Sequence, residues 1–102
     1  MREFLHVDDL ASALTLLMDT YESTETINVG TGVDCTIKEL AETIKEVTQF
    51  QGDLEFDSSY PDGTPRKVLD VSKITSLGWS PHYNLRAGLE SAYQWALENK
   101  VL

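Results

Sequence analysis

A short, rigid and positively charged loop is the strongest chemical signal in this sequence. Arg66 and Lys67 follow directly after a stretch in which two prolines flank an Asp62-Gly63 turn. Restrained cations of this kind suit phosphate recognition, because arginine offers a planar pair of donors and lysine a compact charge. A solvated surface loop is the alternative, and the residue types alone leave both open.

The charge of the chain is uneven, which limits where an anion could bind. The 102 residues include 8 Lys+Arg and 17 Asp+Glu, for a formal net charge of −9. Residues 1–59 contain 3 basic and 13 acidic side chains, whereas residues 60–102 contain 5 and 4. The excess of acid argues against nucleic acid or an anionic membrane as a partner, since both require a basic face. Any anionic ligand must therefore bind locally, near Arg66 and Lys67.

Gly30-Thr31-Gly32 resembles part of a phosphate-binding glycine loop, but the pattern is incomplete. The dinucleotide fingerprint requires a third glycine three residues further on, where this chain has Cys35. We therefore expect a simple turn here, with no cofactor-binding residue. Cys35 has no basic neighbours in sequence that would lower its pKa, which favours an inert buried thiol. As the single cysteine it cannot form an internal disulfide, so we expect a reducing cytoplasm.

The remaining candidates for acid–base or metal chemistry are better explained by structural roles. His6 and His82 are the only histidines, and no second cysteine or cluster of carboxylates offers metal-ligand spacing. We expect His6 to be packed and hydrogen-bonded. Asp8 and Asp9 precede an apolar helical pattern, where carboxylates satisfy free N–H groups, so capping is favoured over paired acid–base chemistry. The sequence thus predicts neither catalytic nor metal-ligating residues.

Periodicity predicts an α/β chain with four helices and few short strands. Apolar residues at helical spacing, next to good capping residues, predict four helices. One covers residues 9–21, a second begins at residue 37 after Thr36, a third covers residues 72–77 and ends before Gly78, and the last begins after Asn84. Short apolar runs predict strands at 3–7, 26–29 and 53–56. No apolar run approaches the ~18–20 residues of a membrane span. Residues 1–102 are expected to form a single domain, whose thin sheet points to part of a larger fold.

Three stretches together resemble the C-terminal portion of the GDP-L-fucose synthases, which are extended short-chain dehydrogenases/reductases. They are Arg2–Asp9, Ile27–Asp34 and Pro61–Lys67, the last continuing into Leu69-Asp70-Val71. The first stretch is shared by extended members of this superfamily that act on nucleotide sugars, whereas the proline-flanked loop narrows the match to this family. The resemblance extends over essentially all 102 residues.

The resemblance implies the C-terminal part of a Rossmann-type fold, with the dinucleotide-binding region and the catalytic groups upstream of these residues. The family enzyme uses NADPH to convert GDP-4-keto-6-deoxy-D-mannose into GDP-L-fucose. The resemblance also implies a cytoplasmic location and, for the complete enzyme, a homodimer. By resemblance, Arg2 contacts the nucleotide diphosphate, Asp62 contacts the substrate and Lys67 contacts the phosphate side. The chain alone is expected to be inactive and to bind no NADPH.

Two other interpretations stay open. The chain could be a standalone acidic module that binds a nucleotide or a protein, or part of another nucleotide-sugar epimerase or dehydratase. If the chain is part of a GDP-L-fucose synthase or of another nucleotide-sugar enzyme, helix 9–21 and strand 26–29 lack the sheet on which they are expected to pack. Apolar surface and a strand edge are then left exposed. We therefore predict that the chain self-associates.

Overall fold

The computed structural model describes residues 1–57 and 68–101. Within these residues the fold is α/β, with four helices and one two-stranded sheet, which confirms the predicted class. The elements in chain order are β1 (Arg2–Glu3), α1 (Val7–Thr20), β2 (Asp34–Cys35), α2 (Ile37–Thr48), α3 (Ser72–Ser76) and α4 (Leu85–Glu98).

Helix α1 begins two residues earlier than predicted, and a histidine caps it. The His6 ring accepts a hydrogen bond through Nδ1 from the backbone N–H of Asp8, at 3.0 Å. Asp8 and Asp9 lie inside the first turn, where their negative charge still faces the positive end of the helix dipole. The expectation that these two aspartates precede and cap the helix is therefore wrong.

Helices α2 and α4 begin as predicted, because their capping side chains act locally. Thr36 Oγ1 accepts from the backbone N–H of Glu39 at 3.0 Å, and Asn84 Oδ1 accepts from that of Ala87 at 2.8 Å. Each bond satisfies one of the N–H groups that a helix start leaves without an intrahelical partner. The short helix α3 is also present, and Gly78 follows it at a φ of +95°, the left-handed conformation that glycine adopts at little cost.

The strands differ most from the prediction. Only residues 2 and 3 form β1, and they pair antiparallel with β2, Arg2 opposite Cys35 and Glu3 opposite Asp34. Segments 26–29 and 53–56 are not strands in the structure. A strand requires a neighbouring backbone, and segment 26–29 has none to pair with in the described part of the chain. Its Asn28 side chain instead donates to the Asp70 carbonyl at 3.2 Å.

The core of the described residues is small and lies between α1, α3 and the segment after α3. Ala13, Ile74 and Trp79 are buried, and the Trp79 indole N–H donates to Ser12 Oγ at 3.0 Å. Partly buried apolar side chains surround this cluster: Leu5, Leu16, Leu17, Ile27, Val29 and Val71. The molecule is flat, with a shortest extent of 18 Å and a radius of gyration of 16.2 Å. A compact domain of this length has a radius of gyration of about 13 Å.

The other side of α1 exposes apolar side chains. Val7 is 70% exposed, Leu14 51% and Met18 86%. Positions three, four or seven apart share one side of a helix, so these residues form a single apolar stripe together with Leu10. No helix in residues 1–57 and 68–101 is long and apolar enough to cross a membrane.

Candidate functional site

Arg2, the first of the three residues predicted to bind substrate, lies on β1 close to the N-terminus. Its guanidinium Nη1 donates to the Met1 carbonyl at 2.9 Å, and its backbone pairs with that of Cys35. The side chain is partly exposed. The other two predicted residues, Asp62 and Lys67, lie outside the described residues.

Glu3, the residue after Arg2, connects three separate segments of the chain. One carboxylate oxygen, Oε1, accepts from the backbone N–H of Thr31 at 2.6 Å. The other, Oε2, accepts from the backbone N–H of Leu69 at 3.0 Å. Bonds to an ionised acceptor are shorter and stronger than those between neutral groups. One side chain therefore holds β1, the glycine turn and the segment from residue 68 together; we call this three-way junction, Glu3 with Thr31 and Leu69, the Glu3 bridge.

The glycine turn is shaped around this carboxylate. A Cβ on Gly30 would clash with Glu3 Oε1 and lie 3.2 Å from Leu69 Cδ1, so a larger residue here would displace the Glu3 carboxylate. Gly32 has a φ of +73°, which favours glycine for a separate reason. Because an anionic carboxylate already takes the Thr31 N–H, the turn does not fit the pyrophosphate of NADPH, whose charge is of the same sign. Residues 30–32 are thus held as a turn by the Glu3 carboxylate, and the absence of a cofactor site here stays a prediction.

The segment that begins at residue 68 runs beside residues 25–32. Besides the Asn28 contact with Asp70, Lys73 Nζ donates to Glu25 Oε2 at 2.9 Å and to the Thr26 carbonyl at 3.4 Å. The hydrogen bond and the opposite charges in this exposed ion pair lower the pKa of Glu25 and raise that of Lys73. Residues 69–73 are therefore held at several points along residues 25–32.

His6 is packed and hydrogen-bonded, which confirms its predicted role. Its ring stacks on Tyr83 with centroids 4.1 Å apart and planes 17° from parallel, and Nε2 lies 3.2 Å from Ser91 Oγ. Because Nδ1 accepts from the Asp8 N–H, we assign the proton of the neutral ring to Nε2. In that tautomer His6 donates to Ser91 and cannot remove the Ser91 proton, so the pair is not an activated nucleophile.

Asp9 is buried, only 2% exposed, and binds a distant loop. Its two carboxylate oxygens accept from the backbone N–H groups of His82 and Tyr83, at 2.8 and 3.0 Å. Asp8 and Asp9 do not form an acid–base pair, which was the less favoured interpretation of these residues, since Asp8 is 69% exposed and Asp9 faces the loop. Sequence reasoning missed this role because the partner residues are more than 70 positions away.

Cys35 and the surrounding cavity show no sign of an activated thiol. Burial raises the pKa of the Cys35 thiol, and the nearby carboxylates of Glu39 and Asp34 raise it further. A raised pKa lowers the fraction of reactive thiolate, as expected for an inert thiol. The thiol lies at a cavity of about 360 Å³ whose apolar wall includes Phe4 and Leu85. No group of three or more His, Cys, Asp or Glu residues within the described ranges could hold a metal ion.

Comparison with known proteins places this chain beside nucleotide-sugar enzymes. It is 58% identical over 101 residues to a putative GDP-L-fucose synthase 2 of Arabidopsis thaliana, with 99% of this chain and 31% of that protein covered. It is 54% identical over 109 residues to the GDP-L-fucose synthase of Escherichia coli K12, with 98% and 34% covered. No protein-family model matches the chain.

A solved structure of a related nucleotide-sugar enzyme has the same fold as this chain. The GDP-6-OMe-4-keto-L-xylo-heptose reductase from C. jejuni superposes with a TM-score of 0.85 at 37% identity, covering 96% of this chain and 31% of that one. The fold is therefore the C-terminal part of an extended short-chain dehydrogenase/reductase of Rossmann type, as predicted. The resemblance to GDP-L-fucose synthases is confirmed as well, and the chain spans about a third of the length of these relatives.

Proposed function

We propose, from the resemblance to GDP-L-fucose synthases, that this chain is the GDP-sugar-binding portion of such an enzyme. The complete enzyme in this proposal is an NADPH-dependent epimerase and reductase that makes GDP-L-fucose from GDP-4-keto-6-deoxy-D-mannose. Arg2 and Lys67 bind the diphosphate, and Asp62 contacts the substrate. The observation that carries the proposal is the Glu3 bridge, which joins the strand of Arg2 to the segment that follows the positively charged loop.

The bridge supports proximity of Lys67 to the strand of Arg2 through chain connectivity alone. Lys67 precedes Leu69 by two residues, and two residues span at most about 7 Å. Leu69 is bonded to Glu3, the neighbour of Arg2. A diphosphate carries two or more negative charges, and cations brought within a few ångströms of one another are what its recognition requires. The charge distribution agrees, since the chain is strongly acidic before residue 60 and nearly balanced after it.

The complete enzyme uses NADPH in this proposal, and we propose that this chain alone does not bind it. The one glycine turn that resembles a phosphate loop is closed by the Glu3 carboxylate. Purified chain should therefore catalyse no NADPH oxidation in the presence of the keto sugar nucleotide. Measurable turnover in that assay would contradict this part of the proposal. We further propose a cytoplasmic location and, for the complete enzyme, a homodimer.

A titration with three nucleotides tests the binding function. We expect saturable binding of GDP, with UDP and dTDP binding more weakly. Arg2→Ala and Lys67→Ala should each abolish GDP binding, because each removes a cation from the diphosphate. Lys38→Ala, which removes the same charge from an exposed position on α2, serves as the matched control and should leave binding unchanged.

The alternative results of this titration would each favour a different function for the chain. Tighter binding of UDP or dTDP would favour another nucleotide-sugar epimerase or dehydratase. GDP binding that survives both substitutions, or no nucleotide binding at all, would favour a standalone acidic module that binds elsewhere or binds a protein.

A further inference from the structure

We infer that the cavity of about 360 Å³ at Cys35, which we call the Cys35 cavity, holds the nucleobase of the GDP-sugar. The inference rests on the proposed function, because it assigns one part of the proposed ligand to a place within the described residues. Small-molecule sites have volumes of about 300–1,000 Å³, and most of their lining is apolar or aromatic with a few polar groups. The Cys35 cavity has this size and this kind of lining.

The walls of the Cys35 cavity suit a flat ring. Phe4, Tyr83 and Leu85 supply aromatic and apolar surface, while Thr31 and His82 add polar groups. Aromatic side chains bind nucleobases by stacking, because every base has a flat π surface. Of the three parts of a nucleoside diphosphate, the base is therefore the one that these walls match.

Buried contacts hold one wall of the cavity in place without a ligand. The carboxylate of Asp9, a residue only 2% exposed, accepts from the backbone N–H groups of His82 and Tyr83. The His6 ring stacks on Tyr83 with centroids 4.1 Å apart. A wall that is already ordered loses little conformational freedom when a ligand binds, so less of the binding energy is spent on ordering it. The wall at residues 82 and 83 is therefore a preformed surface.

The charges around the cavity favour a neutral group inside it. Asp34 is one of the lining residues. Burial raises the pKa of the Cys35 thiol, and the carboxylates of Glu39 and Asp34 raise it further, which shows that the potential there is negative. A negative potential disfavours a phosphate but not an uncharged base. The base therefore enters the cavity and the diphosphate stays outside it.

Arg2 lies beside the cavity on the side where that diphosphate would be. Arg2 and Cys35 are directly opposite each other in the antiparallel pair, so their side chains share one face, with Cβ atoms about 5 Å apart. Glu3, the next residue, points to the other face, toward the glycine turn. A ribose alone separates the base of a nucleotide from its diphosphate. One ligand can thus reach both the cavity and Arg2.

The single cysteine gives a direct test, because Cys35 lines the cavity. The rate at which iodoacetamide alkylates Cys35 in the full chain is measured at alkaline pH, with and without ligand. GDP at about ten times its dissociation constant should slow alkylation about tenfold, because about one chain in eleven is then unoccupied. Guanosine should also slow it, whereas inorganic pyrophosphate, which lacks a base, should leave the rate unchanged. Equal protection by pyrophosphate would overturn the inference.

A substitution that fills the mouth of the cavity provides the second test. Val33 lines the cavity and is 72% exposed, so Val33→Trp obstructs the cavity without disturbing the core. It should weaken GDP binding about tenfold or more, as expected for the loss of a stacked base, and leave pyrophosphate binding unchanged. Val101→Trp adds the same side chain at a position that is 62% exposed and away from the cavity lining, and it is the matched control. GDP binding as tight as in the unsubstituted chain would overturn the inference.

The two tests distinguish this inference from the function on which it rests. GDP binding that leaves Cys35 unprotected would overturn the base site and leave the proposed function standing. Protection by guanosine, with no gain in affinity from the diphosphate of GDP, would support the base site and contradict the proposed role of Arg2. Absence of binding by all three ligands would overturn both.

Discussion

Two adjacent aspartates illustrate how far identical residues can differ within one turn of a helix. Asp9 is 2% exposed and accepts two backbone hydrogen bonds from the loop before α4, whereas Asp8 is 69% exposed. Hydrogen bonds to a charged group contribute more than those between neutral groups, and a buried donor left without a partner is costly. Asp9 is therefore a main attachment between α1 and the loop at residues 82 and 83.

Asp9→Asn should lower the free energy of unfolding by about 3 kcal/mol, because one of the two N–H groups then faces an amide donor instead of an oxygen. Asp8→Asn removes the same charge from the same helix turn and should cost only about 0.5 kcal/mol through the helix dipole. Urea denaturation followed by circular dichroism measures both values. Equal losses for the two variants would show that the loop does not depend on the Asp9 carboxylate.

At the scale of elements, the helices are determined by local sequence. The start of α2 depends on a single side-chain hydrogen bond, which Thr36 Oγ1 accepts from the backbone N–H of Glu39. Thr36→Ala should therefore lower the free energy of unfolding by about 1 kcal/mol.

Thr43, one turn after Glu39, gives the matched control for this prediction. Its hydroxyl donates to the Glu39 carbonyl inside the helix, where alanine is intrinsically more favourable. Thr43→Ala should be neutral or slightly stabilising in the same denaturation experiment. A loss for Thr43→Ala as large as that for Thr36→Ala would contradict a specific capping role.

The helices could be predicted from the sequence because their signals are local, whereas the strands could not. Thr36 and Asn84 cap helices within three residues of themselves, and the periodic apolar positions follow directly. Strand β2 has only two residues, Asp34 and Cys35, with no strand-forming pattern, and it exists because it pairs with β1. Segment 26–29 has the opposite character, since its residue types favour a strand but it finds no pairing partner among the described residues.

The candidate site stays a prediction in its ligand contacts. Residue types drew attention to Arg66 and Lys67, and the resemblance added Arg2 and Asp62. They gave no indication of Glu3 or Asp9 as connectors, because each carboxylate bonds to backbone groups far along the chain. The one local hint was Gly30, whose missing side chain makes room for Glu3, but a glycine in a turn has simpler explanations.

At the scale of the whole molecule, the flat shape and the apolar stripe of α1 determine how the chain behaves in solution. A radius of gyration of 16.2 Å and a core of few fully buried side chains leave much apolar surface in contact with water. Exposed contiguous apolar patches favour association. We propose that a second copy of the chain covers the α1 stripe.

Sedimentation equilibrium at physiological salt should show self-association that increases with protein concentration. Leu14→Glu places a charge in the middle of the stripe and should shift the chain toward monomer. Thr15→Glu adds the same charge at the neighbouring exposed position, outside the stripe, and is the matched control. A strictly monomeric profile at high concentration, or an equal effect of the two variants, would contradict association through α1.

The central claim is that this chain binds a GDP-sugar beside β1, and amide chemical-shift mapping by NMR during a titration with GDP tests it most directly. We predict saturable shifts at Arg2, Glu3, Thr31 and Leu69, with the amides in the last turn of α4 unaffected. Absence of shifts, or saturable shifts confined to the separate surface lined by Glu42, Phe50 and Leu54, would contradict the claim.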